Sequence, residues 1–135
     1  MLFRSTDVLG SAPTLPSSLW PLRDKVARRL RLPAQRFAHV LVTEYQPGAP
    51  LGWHRDVPQF ELIVGVSLGG RGRMRLRPYP PPTGKTAGVL TLELEPRSMY
   101  VLQGDARWRW QHSISPAKSL RYSITLRTIR AGTER

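Results

Sequence analysis

Apolar residues recur along this chain at two periods, and the change from one to the other divides the sequence. Between residues 18 and 33, Leu19, Leu22, Val26 and Leu30 follow at three- and four-residue intervals, the spacing that lines one face of an α-helix. Pro21 is tolerated in a first helical turn and Pro33 marks the stop, so this stretch predicts an amphipathic helix. Its other face carries Arg23, Lys25, Arg28, Arg29 and Arg31, read either as a solvated face or as a phosphate contact surface. Ahead of it, Gly10, Pro13, Pro16 and several serines predict an extended arm rather than a packed element.

After Pro33 the helical period gives way to short runs rich in Val, Ile, Leu, Thr and Tyr, each bounded by Gly or Pro. They predict eight strands, at about 38–45, 51–54, 60–68, 73–77, 89–94, 98–102, 111–114 and 121–129. Eight short strands imply a sandwich or a barrel. A proline-rich loop over 79–85 separates two of them, and no internal repeat is visible. A length of 135 residues with 40% hydrophobic composition supports one core. The expected organisation is a single domain, with the arm and helix over 1–36, a mainly β core over 37–130 and a tail over 131–135.

Composition narrows the chemistry. There is no cysteine, so neither disulfides nor a thiolate cage is available and any metal must be held by nitrogen and oxygen. The first eight residues lack the pattern of a signal peptide, and no apolar run approaches membrane-spanning length; a soluble, cytoplasmic protein with no membrane partner is expected. Twenty-one Lys and Arg against nine Asp and Glu give a formal charge of +12. That favours a polyanionic partner, nucleic acid foremost through phosphate contacts and counterion release, with acidic proteins or anionic surfaces as alternatives.

Three groups of residues could carry chemistry. His54-Arg55-Asp56 lies where a strand meets a turn, and positions two apart on a strand point to the same side. His112 stands among the bulky residues Trp108, Trp110 and Ile114. Two histidines and one carboxylate can bind one face of a non-haem iron(II) and leave the other positions open; the competing reading of His112 is a core histidine satisfying a local hydrogen bond. Arg121 and Arg127, six apart on one strand, share a face, and their planar forks suit the two ends of a dicarboxylate; the competing reading is a pair of surface arginines on an edge strand.

The order of these pieces resembles a known family. Tyr45-Gln46-Pro47-Gly48, then His54-Arg55-Asp56, Gly65-Val66-Ser67-Leu68-Gly69, Gly104-Asp105-Ala106-Arg107 with Trp110 and His112, and finally Arg121 to Arg127 are similar to the AlkB-type iron(II)/2-oxoglutarate dioxygenases over residues 40–130. The resemblance implies a double-stranded β-helix, or jelly roll, with His54, Asp56 and His112 at one mouth as catalytic iron ligands. It implies that Arg121, helped by Tyr45, pairs with the distal carboxylate of 2-oxoglutarate and that Arg127 lies near the metal-chelating end. The cofactors implied are Fe(II), 2-oxoglutarate and O2. The reaction implied is hydroxylation coupled to release of succinate and carbon dioxide; on an N-methyl group it yields a hemiaminal that loses formaldehyde, which is dealkylation repair of DNA or RNA.

Departures from the family pattern bear on the substrate. Thr43 and Ser123 stand where asparagines can occur, and both can still hydrogen-bond. Pro58 occupies a position where some members place an acidic residue that reads the damaged base, with Glu61 as a nearby substitute. The substrate lid normally precedes the helix, and only about eighteen residues do so here, so part of it is expected to be short or absent, as in a truncated chain. Phe3, the basic helix and the strand Arg71 to Arg77 then become substrate contacts, with Arg73 and Arg75 the chosen residues; the competing reading of that strand is an edge charged against aggregation. A monomer acting on alkylated DNA or RNA is the leading expectation. The same chemistry on a protein, lipid or small molecule, a nucleic-acid-binding module with a vestigial site, and a cupin-like zinc or manganese protein are the alternatives.

Overall fold

The structure, a computed structural model, describes the backbone of residues 2–4 and residues 15–81 and 88–132 in full. The rest of the opening arm, the side chain of Phe3, residues 82–87 of the proline-rich loop and residues 133–135 of the tail lie outside the described residues. In chain order the elements are β1 (Leu2–Arg4), a 3-10 turn (Ser17–Leu19), α1 (Trp20–Leu30), a second 3-10 turn (Ala34–Arg36), β2 (His39–Tyr45), β3 (Leu51–His54), β4 (Phe60–Gly69) and β5 (Gly72–Pro78). After them come β6 (Leu90–Leu94), β7 (Ser98–Leu102), α2 (Asp105–Trp108), β8 (Trp110–Ile114) and β9 (Arg121–Ile129).

Helix α1 stops where Arg31 turns into the left-handed region at φ 57, its N–H reaching the carbonyls of Ala27 and Arg28. Pro33, two residues on, cannot supply a further helical N–H. Val26 and Ala27 are buried, and Leu19, Leu22 and Leu30 pack with them against Val64, Val66, Ile124 and Leu126 of the larger sheet. Lys25, Arg28, Arg29 and Arg31 remain exposed. Burying each of these aliphatic side chains contributes roughly 1.5–3 kcal/mol, which anchors the helix to the back of that sheet.

Two sheets face each other. The larger has the order β1-β2-β9-β4-β7 and the smaller β3-β8-β5-β6. From β2 to β9, successive strands alternate between the sheets except for β5 and β6, which pair within the smaller one, and the eight form a double-stranded β-helix; β1 adds a parallel edge strand beside β2. All eight expected strands are present within a residue or two of their expected bounds. Strand β1 replaces part of the extended arm that composition suggests. Three residues are too few to carry a period, and their pairing is with a segment some forty positions away.

Alternation along β9 shows where the core divides. Tyr122, Ile124 and Leu126 point toward the helix side, whereas Arg121, Ser123, Thr125 and Arg127 point between the sheets. All four of these polar residues are nonetheless buried. The apolar core therefore lies behind the larger sheet under α1, and the space between the sheets holds a second, smaller cluster of Tyr45, Met74, Leu94 and Ile114 together with a polar cavity. Register matters here: a one-residue slip of β9 would exchange its two faces and put arginines under the helix.

Candidate active site

The cavity between the sheets has a volume of about 240 Å³. Strands β2, β4 and β9 supply its back wall, through Thr43, Tyr45, Ile63, Ser67, Arg121 and Arg127 among others, and the β3 end and β8 supply its front. A space of that size suits a small ligand.

At its mouth three ligating atoms converge. His54 ends β3 and His112 sits opposite it on β8 as a register partner, with Asp56 in the turn two residues beyond His54. The ligating atoms of His54, Asp56 and His112 all lie within 4.8 Å of one another. Asp56 Oδ1 is 3.8 Å from His54 Nε2 and 3.6 Å from His112 Nε2, so one carboxylate oxygen faces both imidazoles. His54 Nδ1 lies 2.8 Å from the carbonyl of Gly52; donating there, the ring keeps Nε2 free as an acceptor.

Protonation states favour cation binding. Burial, with the neighbouring His54, pushes the His112 imidazole down to about 4, so the ring is neutral near pH 7 and offers a lone pair. Burial alone would push the Asp56 carboxyl up, but the charge and hydrogen bond of Arg127, with His112 and His54 behind them, outweigh it and hold the group below its ordinary value. Asp56 is thus an anion. Two imidazole nitrogens and a carboxylate around a common point are a fit for a divalent transition metal with vacant positions.

Arg127 lies at this metal end. Its Nε donates to Asp56 Oδ2 at 2.6 Å, so its immediate partner is the aspartate rather than open cavity. On the other side His39, its register partner across β2 and β9, brings Nδ1 within 3.5 Å of Nη1 and stacks on Phe60 at 4.7 Å. In the sequence His39 has no chemical context; cross-strand register supplies one.

Arg121 occupies the closed end. The residue is 2% exposed, Nη2 donates to Ser67 Oγ at 2.8 Å, and Nε and Nη1 are buried without a partner. A buried cation with two unmade hydrogen bonds costs several kcal/mol unless something supplies acceptors. Tyr45 lies beside it, its ring centroid 5.2 Å from the guanidinium carbon. Burial pushes the phenols of Tyr45 and Tyr100 up, so both remain O–H donors. Donors therefore outnumber acceptors at this end, the chemistry of a carboxylate site. Gly72 makes room for it: a Cβ there would stand 2.3 Å from Arg121 Nε.

Two residues of the site carry no role in the sequence reading. Tyr100 lies across the sheet from Gly65, and a Cβ on Gly65 would fall within 2.1–2.4 Å of the Tyr100 ring; the Gly65 gap seats the phenol at the cavity. Arg107, 3% exposed, sits on the single turn α2 just ahead of β8. Its guanidinium donates to the carbonyls of Asp56 at 3.2 Å, Val57 at 2.8 Å and Phe60 at 2.8 and 3.2 Å. It thereby ties the turn that carries Asp56 to the strand that carries His112. Gly104, at φ 57, followed by Asp105 was the one available signal for that turn, because four residues are too short for a helical period.

Arg107→Ala is expected to remove four hydrogen bonds to the carbonyls of Asp56, Val57 and Phe60 and to cost on the order of 3 kcal/mol in a urea titration. It should also weaken manganese(II) binding by about 10–100-fold, the usual cost of losing an outer partner of a metal site. Unchanged metal affinity with lowered stability would make Arg107 a packing residue only.

The remaining candidates lie outside the cavity. Arg73 pairs with Glu93 at 2.9 Å and Arg71 with Glu95 at 3.1 Å. Arg75 and Arg77 lie over the Trp53 ring at 5.4 and 4.3 Å. Glu61 and Pro58 are exposed and neither lines the cavity.

Comparison with known proteins adds to this geometry. The model of the 2OG-Fe(II) oxygenase superfamily matches residues 5–128. An uncharacterized protein, L905, of Acanthamoeba polyphaga mimivirus is 28% identical over 84% of this chain and 63% of its own length. An alkylated DNA repair protein ALKBH8 homolog of Arabidopsis thaliana is 34% identical over 66% of this chain and 33% of its own length. The chain thus spans less than two thirds of either relative. Among solved structures, a Pseudomonas putida prolyl-4-hydroxylase aligns with TM-score 0.53 at 18% identity, covering 93% of this chain and 87% of that one, a likeness of fold. A cupin domain from Bordetella pertussis aligns at TM-score 0.44 and 23% identity, covering 68% of this chain and 82% of that one. No helix among the described residues is long and apolar enough to cross a membrane.

Proposed function

Because the chain belongs to the 2OG-Fe(II) oxygenase superfamily, which uses Fe(II), 2-oxoglutarate and O2, we propose that it is an AlkB-type dioxygenase that removes alkyl groups from the bases of DNA or RNA. The observation that carries the reading is the pairing, in one cavity, of a His-Asp-His cluster at the mouth with a buried, under-bonded arginine at the closed end. For the substrate, support comes from the +12 charge and from the similarity to a plant protein named for alkylated DNA repair.

In this reading His54, Asp56 and His112 hold the iron, Arg127 keeps Asp56 ionised and oriented, and Arg107 fixes the turn between them. Arg121, Tyr45 and Tyr100 receive the distal carboxylate of 2-oxoglutarate, which supplies the acceptors that Arg121 lacks. Bound iron supplies oxygen activation, coupling decarboxylation of 2-oxoglutarate to hydroxylation of a substrate carbon. One oxygen atom goes into succinate and the other into the substrate. On an N-methyl group the product hemiaminal breaks its carbon–nitrogen bond, giving formaldehyde and the unmodified base. The neighbouring Ser67, Thr43 and Ser123 keep the wall polar without adding charge.

The test is to incubate the protein with iron(II), 2-oxoglutarate and N-methylated DNA and RNA oligonucleotides, measuring succinate and formaldehyde together. Matched, substrate-dependent release of the two is expected. Succinate without formaldehyde from every oligonucleotide would keep the oxygenase and remove nucleic acid as its substrate.

A further inference from the structure

The row of arginines at 71, 73, 75 and 77 is not uniform. Arg71 and Arg73 each have a glutamate partner, Glu95 and Glu93, on the edge-strand side. Arg75 and Arg77 have no carboxylate within ion-pair distance among the described residues. Instead both guanidinium groups lie over one indole, that of Trp53, which immediately precedes the metal-site residue His54 in β3. Gln111 Oε1 accepts from Arg77 Nε at 3.0 Å and sets the rotation of that fork. The β5 register pairs Arg77 with Gln111 and Arg75 with Ser113 on β8, so this is the outer face of the smaller sheet. Its charge is compensated at one end and open at the end nearer the mouth.

Resting on the nucleic-acid reading above, we infer that Trp53, Arg75 and Arg77 form a phosphate-binding fork that holds the backbone of a single strand as it approaches the cavity. A guanidinium held over an aromatic ring keeps N–H groups available and loses less rotamer freedom when it binds an anion. Two such forks at alternate positions of one strand stand about 7 Å apart, a spacing comparable with that of successive phosphates along a nucleic-acid chain. The line continues toward the mouth. Tyr79 follows Arg77 and Pro78, Arg55 lies over its ring at 4.2 Å, and Arg55, which lines the cavity, donates to the Trp108 carbonyl at 2.9 Å. Cationic and aromatic groups thus alternate from the outer sheet face to the rim of the site, a combination suited to a single strand. In this proposal Arg77 stands in place of Arg73 in the pair chosen from the sequence, because Glu93 pairs with the Arg73 guanidinium.

The experiment measures binding of a labelled N-methylated single-stranded oligonucleotide by fluorescence anisotropy across a salt series. The variants are Arg75→Gln/Arg77→Gln, Arg71→Gln/Arg73→Gln, Trp53→Ala and Trp53→Phe. Losing two phosphate contacts should lower the slope of log affinity against log salt by about 1.4, at roughly 0.7 per contact for a single strand. The Arg71/Arg73 pair, equal in charge removed, should change the slope by much less. Trp53→Ala should weaken binding although it removes no charge, and Trp53→Phe should restore most of it; the charge variants, being on the surface, decide the matter if Trp53→Ala does not fold. Equal losses from the two double variants, or no loss from Arg75→Gln/Arg77→Gln in a wild type that binds, would overturn the fork and leave the nucleic-acid reading standing. A wild type that binds polyglutamate but no oligonucleotide would overturn both.

Discussion

Replacing Asp56 with alanine is expected to abolish 2-oxoglutarate turnover and, separately, to destabilise the metal-free protein by about 3–5 kcal/mol. The second effect separates this ligand from its neighbours. Asp56 accepts from Arg127 Nε at 2.6 Å in surroundings where both side chains are less than one-tenth exposed. Removing the carboxylate strands the guanidinium, with only a 3.5 Å contact to His39 to replace the bond. His54, by contrast, has a side chain one-third exposed. His54→Ala should therefore abolish succinate formation and metal binding while leaving the urea midpoint of the metal-free protein nearly where it was. Succinate measured by mass spectrometry, manganese(II) titration and urea denaturation of both variants make the comparison. Normal turnover in either variant would remove the metal assignment; equal stability loss in the two would remove the special place given to the Asp56–Arg127 pair.

Arg121→Met should have the opposite sign on stability. Wild-type Arg121 holds a buried charge with Nε and Nη1 without a protein partner, a cost that a bound anion would offset. An apolar side chain of similar length in that space should leave the ligand-free protein as stable or more so, as happens when a buried ionic group is exchanged for a well-packed apolar one. The requirement for 2-oxoglutarate should rise by roughly 100-fold or more, corresponding to about 3 kcal/mol for a lost charge-assisted pair. Thermal melts with and without 2-oxoglutarate read both effects, because a ligand that binds only the folded state raises the melting temperature by an amount that grows with the logarithm of its concentration over Kd. A wild-type shift that disappears in Arg121→Met is the expected outcome; an undiminished shift would place the cosubstrate elsewhere. Gly72→Ala, whose Cβ would press on the same guanidinium, should act in the same direction on 2-oxoglutarate binding but with a cost in stability.

Much of this site was legible in the chain because its elements obey local rules. Strand positions followed from runs of β-formers between Gly and Pro, and the helix from its three- and four-residue spacing. Short-range order also placed Arg121 with Arg127, since residues an even number apart on a strand share a face, and kept Asp56, in the turn beyond β3, two residues from His54. That periodicity cannot say which of the two faces meets solvent, core or cavity. In β9 both faces are buried, the apolar one under α1 and the polar one around the cavity, and it is the opposing sheet that covers the second.

What the tertiary structure alone decided is pairing between residues distant in sequence. Opposing β3 and β8 brings His112 to His54; docking α2 beneath the metal-site turn gives Arg107 its carbonyls; laying β6 beside β5 gives Arg73 to Glu93 and leaves Arg75 and Arg77 on Trp53. Each such contact depends on strand register and loop closure, which are set by the summed burial of the whole domain rather than by the residues that meet. The sequence by itself determined the long helix, the eight strands of the core and the chemical groups they carry; packing determined the short elements β1 and α2 and which of those groups became neighbours.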